Sequence, residues 1–171
     1  GGLALLTASL IILIYLAIRF EWRLAAGSLL ALAHDIIIVL GVFAWFKISF
    51  DLTVLAALLA IIGYSLNDSI VVGDKIREVM LIKPEDPVSQ SIDLAIASTL
   101  VRTLVTSGTT MTTIVAISLF AGSSLSGFAT ALMIGVAVGT ISSITISATV
   151  PEMLNVSPEN YREEIIIDDM P

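Results

Sequence analysis

Residues 52–74 read LTVLAALLAIIGYSLNDSIVVGD, an apolar run interrupted near its end by the single carboxylate Asp68 and closed by Asp74. The hydrocarbon layer of a bilayer is ~30 Å thick, and ~20 mostly apolar residues cross it as an α-helix. The run is therefore long enough to span, and its carboxylate falls inside the span. On insertion scales such a group costs roughly 2.5 to 3.5 kcal/mol, so it requires either a polar neighbour or a task.

Outward from this run, four more segments reach membrane length: residues 3–20, 24–46, 96–121 and 125–150. The expected fold is all-α, a polytopic membrane helix bundle of five transmembrane helices over residues 1–150, followed by an acidic cytoplasmic tail at 151–171. Composition agrees, with 57% hydrophobic and 13% charged residues and a mean hydropathy of +1.02, too apolar for a water-soluble surface. The chain has no cysteine and one histidine, which excludes disulfides and argues against any metal centre, so no cofactor is expected. From Pro151 onward Glu152, Glu159, Glu163, Glu164, Asp168 and Asp169 face only Arg162. That balance gives no attraction to nucleic acid.

The first apolar run lacks a basic leader and is followed by more membrane-length runs, so it does not read as a cleavable signal. A start at Gly1-Gly2 with no initiator Met reads as a piece of a longer chain. Arg19, Arg23, Lys75, Arg77, Lys83 and Arg162 fall on one side of the five spans and Lys47 alone on the other. By the positive-inside rule the basic side, and with it the C-terminus, is cytoplasmic. The stretch before Pro84 is expected to form a short interfacial helix. In the last span Gly127, Ala131, Gly135, Gly139, Ser143 and Ser147 recur every four residues, a bare face suited to close helix packing.

Ionisable groups carry the chemistry. With helix ends near Leu24, Asp74 and Asp93, Asp35, Asp68 and Arg102 lie about 16, 9 and 13 Å inside. Sharing a depth, they are expected to face one another, two carboxylates competing for or sharing one guanidinium. Burial raises a carboxylate's proton affinity and a nearby guanidinium lowers it, so moving Arg102 or admitting water would switch Asp68 between its two states. The competing structural reading is an ion pair that only fixes helix register. Tyr64 lies one turn before Asp68 and Asn67 beside it. Around Arg102, Ser98, Thr99, Thr106, Thr109, Thr110 and Thr113 form a polar stripe, a candidate wettable lane unless the hydroxyls bond their own helix. His34 precedes Asp35 but adjacent residues leave a helix in different directions, so the two need not touch, and a packing role suits His34 best.

Three blocks, Ala33-His34-Asp35, Gly63 through Glu78, and Arg102-Thr103-Leu104-Val105-Thr106-Ser107-Gly108-Thr109-Thr110, closely resemble the SecF branch of the SecD/SecF family of protein-export membrane subunits, within the resistance-nodulation-division superfamily. The resemblance covers roughly residues 1–150 and implies spans two to six of a six-helix half. It implies pairing with SecD, cooperation with the SecYEG channel, with YajC and YidC as further partners, and use of the proton motive force at the bacterial cytoplasmic (inner) membrane. Asp68 then matches the family's fourth-span carboxylate, Arg102 its fifth-span arginine and Asp35 the acid of the His-Asp pair. Exported preproteins would be handled by an extracytoplasmic domain outside this sequence, and membrane lipid surrounds the spans. No enzymatic activity is expected. The alternatives are one half of a proton-coupled small-molecule efflux permease, a structural membrane scaffold, and an intramembrane aspartyl protease; the last lacks a close, arginine-free pair of carboxylates.

Overall fold

The computed structural model describes residues 21–159 and 161, with positions 3, 7, 10, 11 and 14 ahead of them. The expected first span, apart from those positions, and the tail from Arg162 onward lie outside the described residues. Four long helices follow one another: α1 (Trp22–Trp45), α2 (Leu52–Ile82), α3 (Val88–Phe120) and, after a short 3-10 turn at Ser123–Leu125, α4 (Ser126–Met153). There is no strand among the described residues. All four helices are long and apolar enough to cross a membrane.

Local chemistry sets the helix ends. Lys47 turns the chain after α1 with φ 52, and the Ile48 N–H returns to the Phe43 carbonyl at 2.9 Å. Asp51 caps α2, its Oδ1 accepting from the Val54 N–H at 2.9 Å and the Thr53 hydroxyl at 2.7 Å, as an N-cap residue does. Those two donors hold its carboxyl below the usual aspartate value. Two expected boundaries are corrected. The stretch before Pro84 is no separate interfacial helix but the last turns of α2, because nothing from Asp74 to Ile82 interrupts it and Lys75 pairs with Glu78 at 2.8 Å along the same face. Pro84 stops it by excluding the α conformation at Lys83. Likewise α3 starts at Val88, directly after Pro87, well before residue 96.

The bundle is organised around α4, which packs against α1, α2 and α3, while α2 touches both α1 and α3. The four-residue ladder of small side chains is the packed face, with Ala131, Gly135, Gly139, Ser143 and Ser147 all buried. A Cβ at Gly135 would overlap the Ile61 side chain, and one at Gly127 would come 3.0 Å from Val54 Cγ2. On α1, a Cβ at Gly27 would sit 2.8 Å from the Ser147 carbonyl oxygen and 2.9 Å from Pro151 Cδ. Pro151 supplies no N–H to that carbonyl, and its ring packs where Gly27 leaves room.

One apolar cluster fills the basic end, with Leu32, Ile62, Leu66, Val72, Ile76, Met80 and Ile92 among its members. A second, around Val39, Phe43, Val54, Leu58 and Ile61, fills the opposite end. At the basic end Arg23 pairs with Glu21, donates from Nε to the Leu154 carbonyl at 2.9 Å, and stacks on Trp22. Arg77 lies over the Tyr161 ring at 5.9 Å. Burial, with the Glu21 carboxylate beside it, pushes the Tyr161 phenol above its usual range, so the ring stays neutral. The segment after α4 is thereby tied to the starts of α1 and the end of α2.

Because Ile61 is fully buried, it has nowhere to retreat. Gly135→Ala should lower resistance to thermal unfolding in detergent, at a cost of about 1 to 3 kcal/mol. Ile61→Ala in the same chain should recover part of that loss. An unchanged melting profile in the single variant would mean that α2 and α4 are not in this close contact.

Candidate functional site

Asp35 leaves α1 at the junction with α2 and α4 and is fully buried. Its Oδ2 accepts a hydrogen bond from Ser65 Oγ of α2 at 2.6 Å, and a Cβ on Gly139 of α4 would stand 3.3 Å from the same oxygen. The other oxygen, Oδ1, lies 3.2 Å from His34 Nδ1. His34 and Asp35 therefore touch, a point that helix geometry alone leaves open. The imidazole is still 43% exposed on the outer face, and it reaches back along the helix to the buried carboxylate. Every oxygen of Asp35 has a partner, in a pocket closed by three helices.

Asp68 on α2 is the opposite case. It is buried, and its Oδ2 has no hydrogen-bond partner. Among the described residues Arg102 forms no ion pair with either aspartate; its charge acts on Asp68 through space. The expectation of two carboxylates on one guanidinium is thus corrected. Asp35 belongs to the α1–α2–α4 junction through Ser65, whereas Arg102 extends from α3, and α1 and α3 share no extensive contact.

The α3 helix carries two polar faces rather than one. Thr99, Thr103 and Ser107 point into the bundle and are buried, while Ser98, Arg102, Thr109 and Thr113 are exposed on its outer side with Thr106 half-buried between them. Hydroxyls of the outer stripe bond carbonyls of their own helix: Thr106 to Thr103 at 3.0 Å, Thr109 to Val105 at 3.0 Å and Thr113 to Thr109 at 3.2 Å. Asn67 is exposed and takes no part in the interior. Tyr64 does: its hydroxyl donates to Ser107 Oγ at 2.8 Å, and Ser107 Oγ meets Thr140 Oγ1 of α4 at 2.6 Å. Ser107 and Thr140 were not singled out by the sequence, and nothing in a chain so rich in Ser and Thr marks them apart.

In an antiparallel helix pair, stepping four residues along one helix and four back along the other keeps the same level. One turn from the Tyr64–Ser107 contact, toward the basic end, this brings Asp68 level with Thr103. Thr103 Oγ1 and Ser69 Oγ are also buried without a partner. Just below, a cavity of about 360 Å³ is lined by Val71, Asp74, Lys75, Glu78, Ser98, Thr99 and Arg102. Its lining carries both signs of charge. No cluster of metal-ligating side chains occurs among the described residues.

Fold and site together define a multi-pass membrane helix bundle with a buried, unpartnered carboxylate next to a charged cavity. The family model for "Protein export membrane protein SecD/SecF, C-terminal" matches residues 1–156, and the chain belongs to that family. It is 47% identical to the SecF protein translocase subunit of Vibrio alginolyticus, an alignment covering 100% of this chain and 56% of that protein. With the subunit of Escherichia coli O157:H7 it shares 46% identity over 96% of its length and 51% of the relative. The chain thus spans about half the length of the curated relatives it matches. A crystal structure of SecDF in a super-membrane-facing form superposes with a TM-score of 0.81 at 38% identity, covering 97% of this chain and 22% of that one. SecDF from Thermus thermophilus, described as translocon-associated, gives 0.80 at 42% identity over 83% of this chain and 20% of that one.

Removing the donor to a buried carboxylate leaves it unsatisfied, at a cost of about 1 to 3 kcal/mol, whereas removing both partners costs less than the two losses combined. Ser65→Ala and Asp35→Ala should each lower thermal stability in detergent, and the double variant should lose less than the sum. Strict additivity in that cycle would mean the 2.6 Å contact contributes nothing.

Proposed function

We propose that this chain is the membrane-embedded, proton-responsive part of a SecF-type subunit that assists protein export. The observation that carries the reading is Asp68: buried in a membrane span, one oxygen unpartnered, and within electrostatic reach of an arginine at the edge of a charged cavity. A carboxylate held in low dielectric with a spare oxygen and a distant cation responds to small changes in either, as proton-coupled sites in membrane proteins do. The efflux-permease alternative is not favoured, since the relatives are export subunits.

On this reading the bundle is spans two to six of a six-helix half of resistance-nodulation-division type, in the bacterial inner membrane with its C-terminus in the cytoplasm. It pairs with SecD and acts with SecYEG, alongside YajC and YidC, on preproteins gripped by an extracytoplasmic domain. Protonation of Asp68 and the accompanying shift of Arg102 bias a two-state bundle, and the bias is passed to that domain as movement. Asp35 is then a second carboxylate of the proton pathway whose partners, Ser65 and His34, tie its state to the α1–α2–α4 contact. Tyr64 supports the site, while Thr106 and Thr109 spend their hydroxyls on carbonyls of their own helix.

The test is proton uptake by vesicles holding the complete two-subunit complex. Asp68→Asn and Arg102→Met should each bring flux to the level of empty vesicles while assembly with SecD survives. Flux and export that persist in both variants would make these charges register pins and remove the proton-coupling reading.

A further inference from the structure

A charged cavity lies on one side of the site, and the groups that close the other side can be named. Toward the basic end lies the charged cavity. On the opposite side the first layer is the hydroxyl chain Tyr64–Ser107–Thr140, which joins α2, α3 and α4. Its hydrogens have one consistent order. Thr140 Oγ1 donates to the Val136 carbonyl at 2.6 Å, so Ser107 must donate to Thr140 and Tyr64 to Ser107. The chain ends on a peptide carbonyl already within its own helix. A backbone carbonyl cannot pass a proton onward, so this series of hydroxyls is a dead end for conduction and a strong tie between helices. Directly beyond it, Ile114, Ala129 and Val136 form a buried apolar cluster with Met111 and Leu132, and the Tyr64 ring packs into that same cluster. Water has no polar foothold there.

We infer that Tyr64, Ser107 and Thr140 are the gate of the Asp68 site on the side away from the cavity. The three hydroxyls clamp α2, α3 and α4 against the apolar cluster, and access from that side requires the clamp to part. These are positioning residues: none of them carries the proton. The inference deepens the proton-coupling reading of Asp68 and rests on it for its purpose, although the gate itself is a statement about access. It gives Tyr64 a role in access to the site, and it gives Ser107 and Thr140 a role that the sequence alone did not suggest.

The experiment uses the full-length subunit in its complex, in a cysteine-free background; the present segment contributes no cysteine. Thr103→Cys places a thiol level with Asp68, and a membrane-impermeant methanethiosulfonate is applied from either face of sealed vesicles. Modification is expected from the basic face only. Thr140→Val keeps the shape and removes the hydroxyl, and with it modification from the opposite face should rise at least tenfold. Ser107→Ala, which removes the middle hydroxyl, should do the same. Equal modification from both faces before either change, or no rise from the opposite face in both variants, overturns the gate. A rise in only one of them also overturns it, because the clamp is a chain.

Proton leak separates this from the parent reading. Thr140→Val should raise passive leak several-fold, and Asp68→Asn should abolish the increase. If labelling follows the clamp while Asp68→Asn leaves flux untouched, the gate stands and proton coupling at Asp68 falls. If Asp68→Asn removes flux but the clamp variants change neither labelling nor leak, the coupling stands and the gate falls.

Discussion

The bare face of α4 allows the other helices to come within van der Waals reach of its backbone. Gly135 leaves room for Ile61, and Gly139 leaves room for both Asp35 Oδ2 and Ser65. In lipid there is no hydrophobic drive to bring helices together, so association depends on packing and on hydrogen bonds between helices. Here both come from the same contact. The close approach at Gly139 is what puts Ser65 and Asp35 under a third helix, and a side chain there would press on the very oxygen that Ser65 holds. The ladder is therefore a condition for the polar interior as well as for the bundle.

With that frame in place, two aspartates in one bundle have different prospects. Asp35 has a hydrogen-bond partner on each oxygen and is enclosed at a three-helix junction. Asp68 has an unpartnered oxygen and neighbours, Ser69 and Thr103, in the same condition. Buried polar atoms without partners are rare in native structures, and each one signals strain, a ligand or a second arrangement of the surroundings. On the proposed reading it is the second arrangement: a rotation that brings Arg102 to Asp68 would satisfy what the present one leaves open. The difference between the aspartates lies in their surroundings alone.

Much of this was legible in the sequence, and the rest failed for definable reasons. Spans are long-range averages of hydropathy, so the interior of each of α1 to α4 was placed correctly. The ladder was legible because a four-residue repeat of Gly, Ala and Ser has one structural use. Helix ends were misjudged where charged residues continue a helix beyond the hydrocarbon: Lys75 to Ile82 are polar enough to leave the membrane and yet contain no breaker. The inward face of α3 was illegible, because Ser or Thr occupies both sides of it from Ser98 to Thr113 and period alone cannot choose between them. Depth was the basis for grouping Asp35, Asp68 and Arg102. It could not show that they sit around the bundle on different helix contacts, since depth fixes one coordinate out of three.

The outer stripe of α3 bears on what completes the structure. Of its most apolar stretch only 11% is buried, against 50% for α2, so this helix is the least covered of the four. A row of exposed hydroxyls next to lipid looks costly, but the hydroxyls of Thr106, Thr109 and Thr113 are already spent on carbonyls of their own helix. Each presents little more than a methyl group outward. The guanidinium of Arg102 has no such internal remedy: its five donors cannot be satisfied by its own helix, and leaving them in hydrocarbon is the expensive arrangement. One side chain therefore carries the demand for something polar on this face. A second bundle packed there would answer it, consistent with the proposed pairing, and Arg102 would then stand between the two halves with Asp68 on its near side. On the proposed reading, the rotation that brings Arg102 to Asp68 would then be felt directly by that partner.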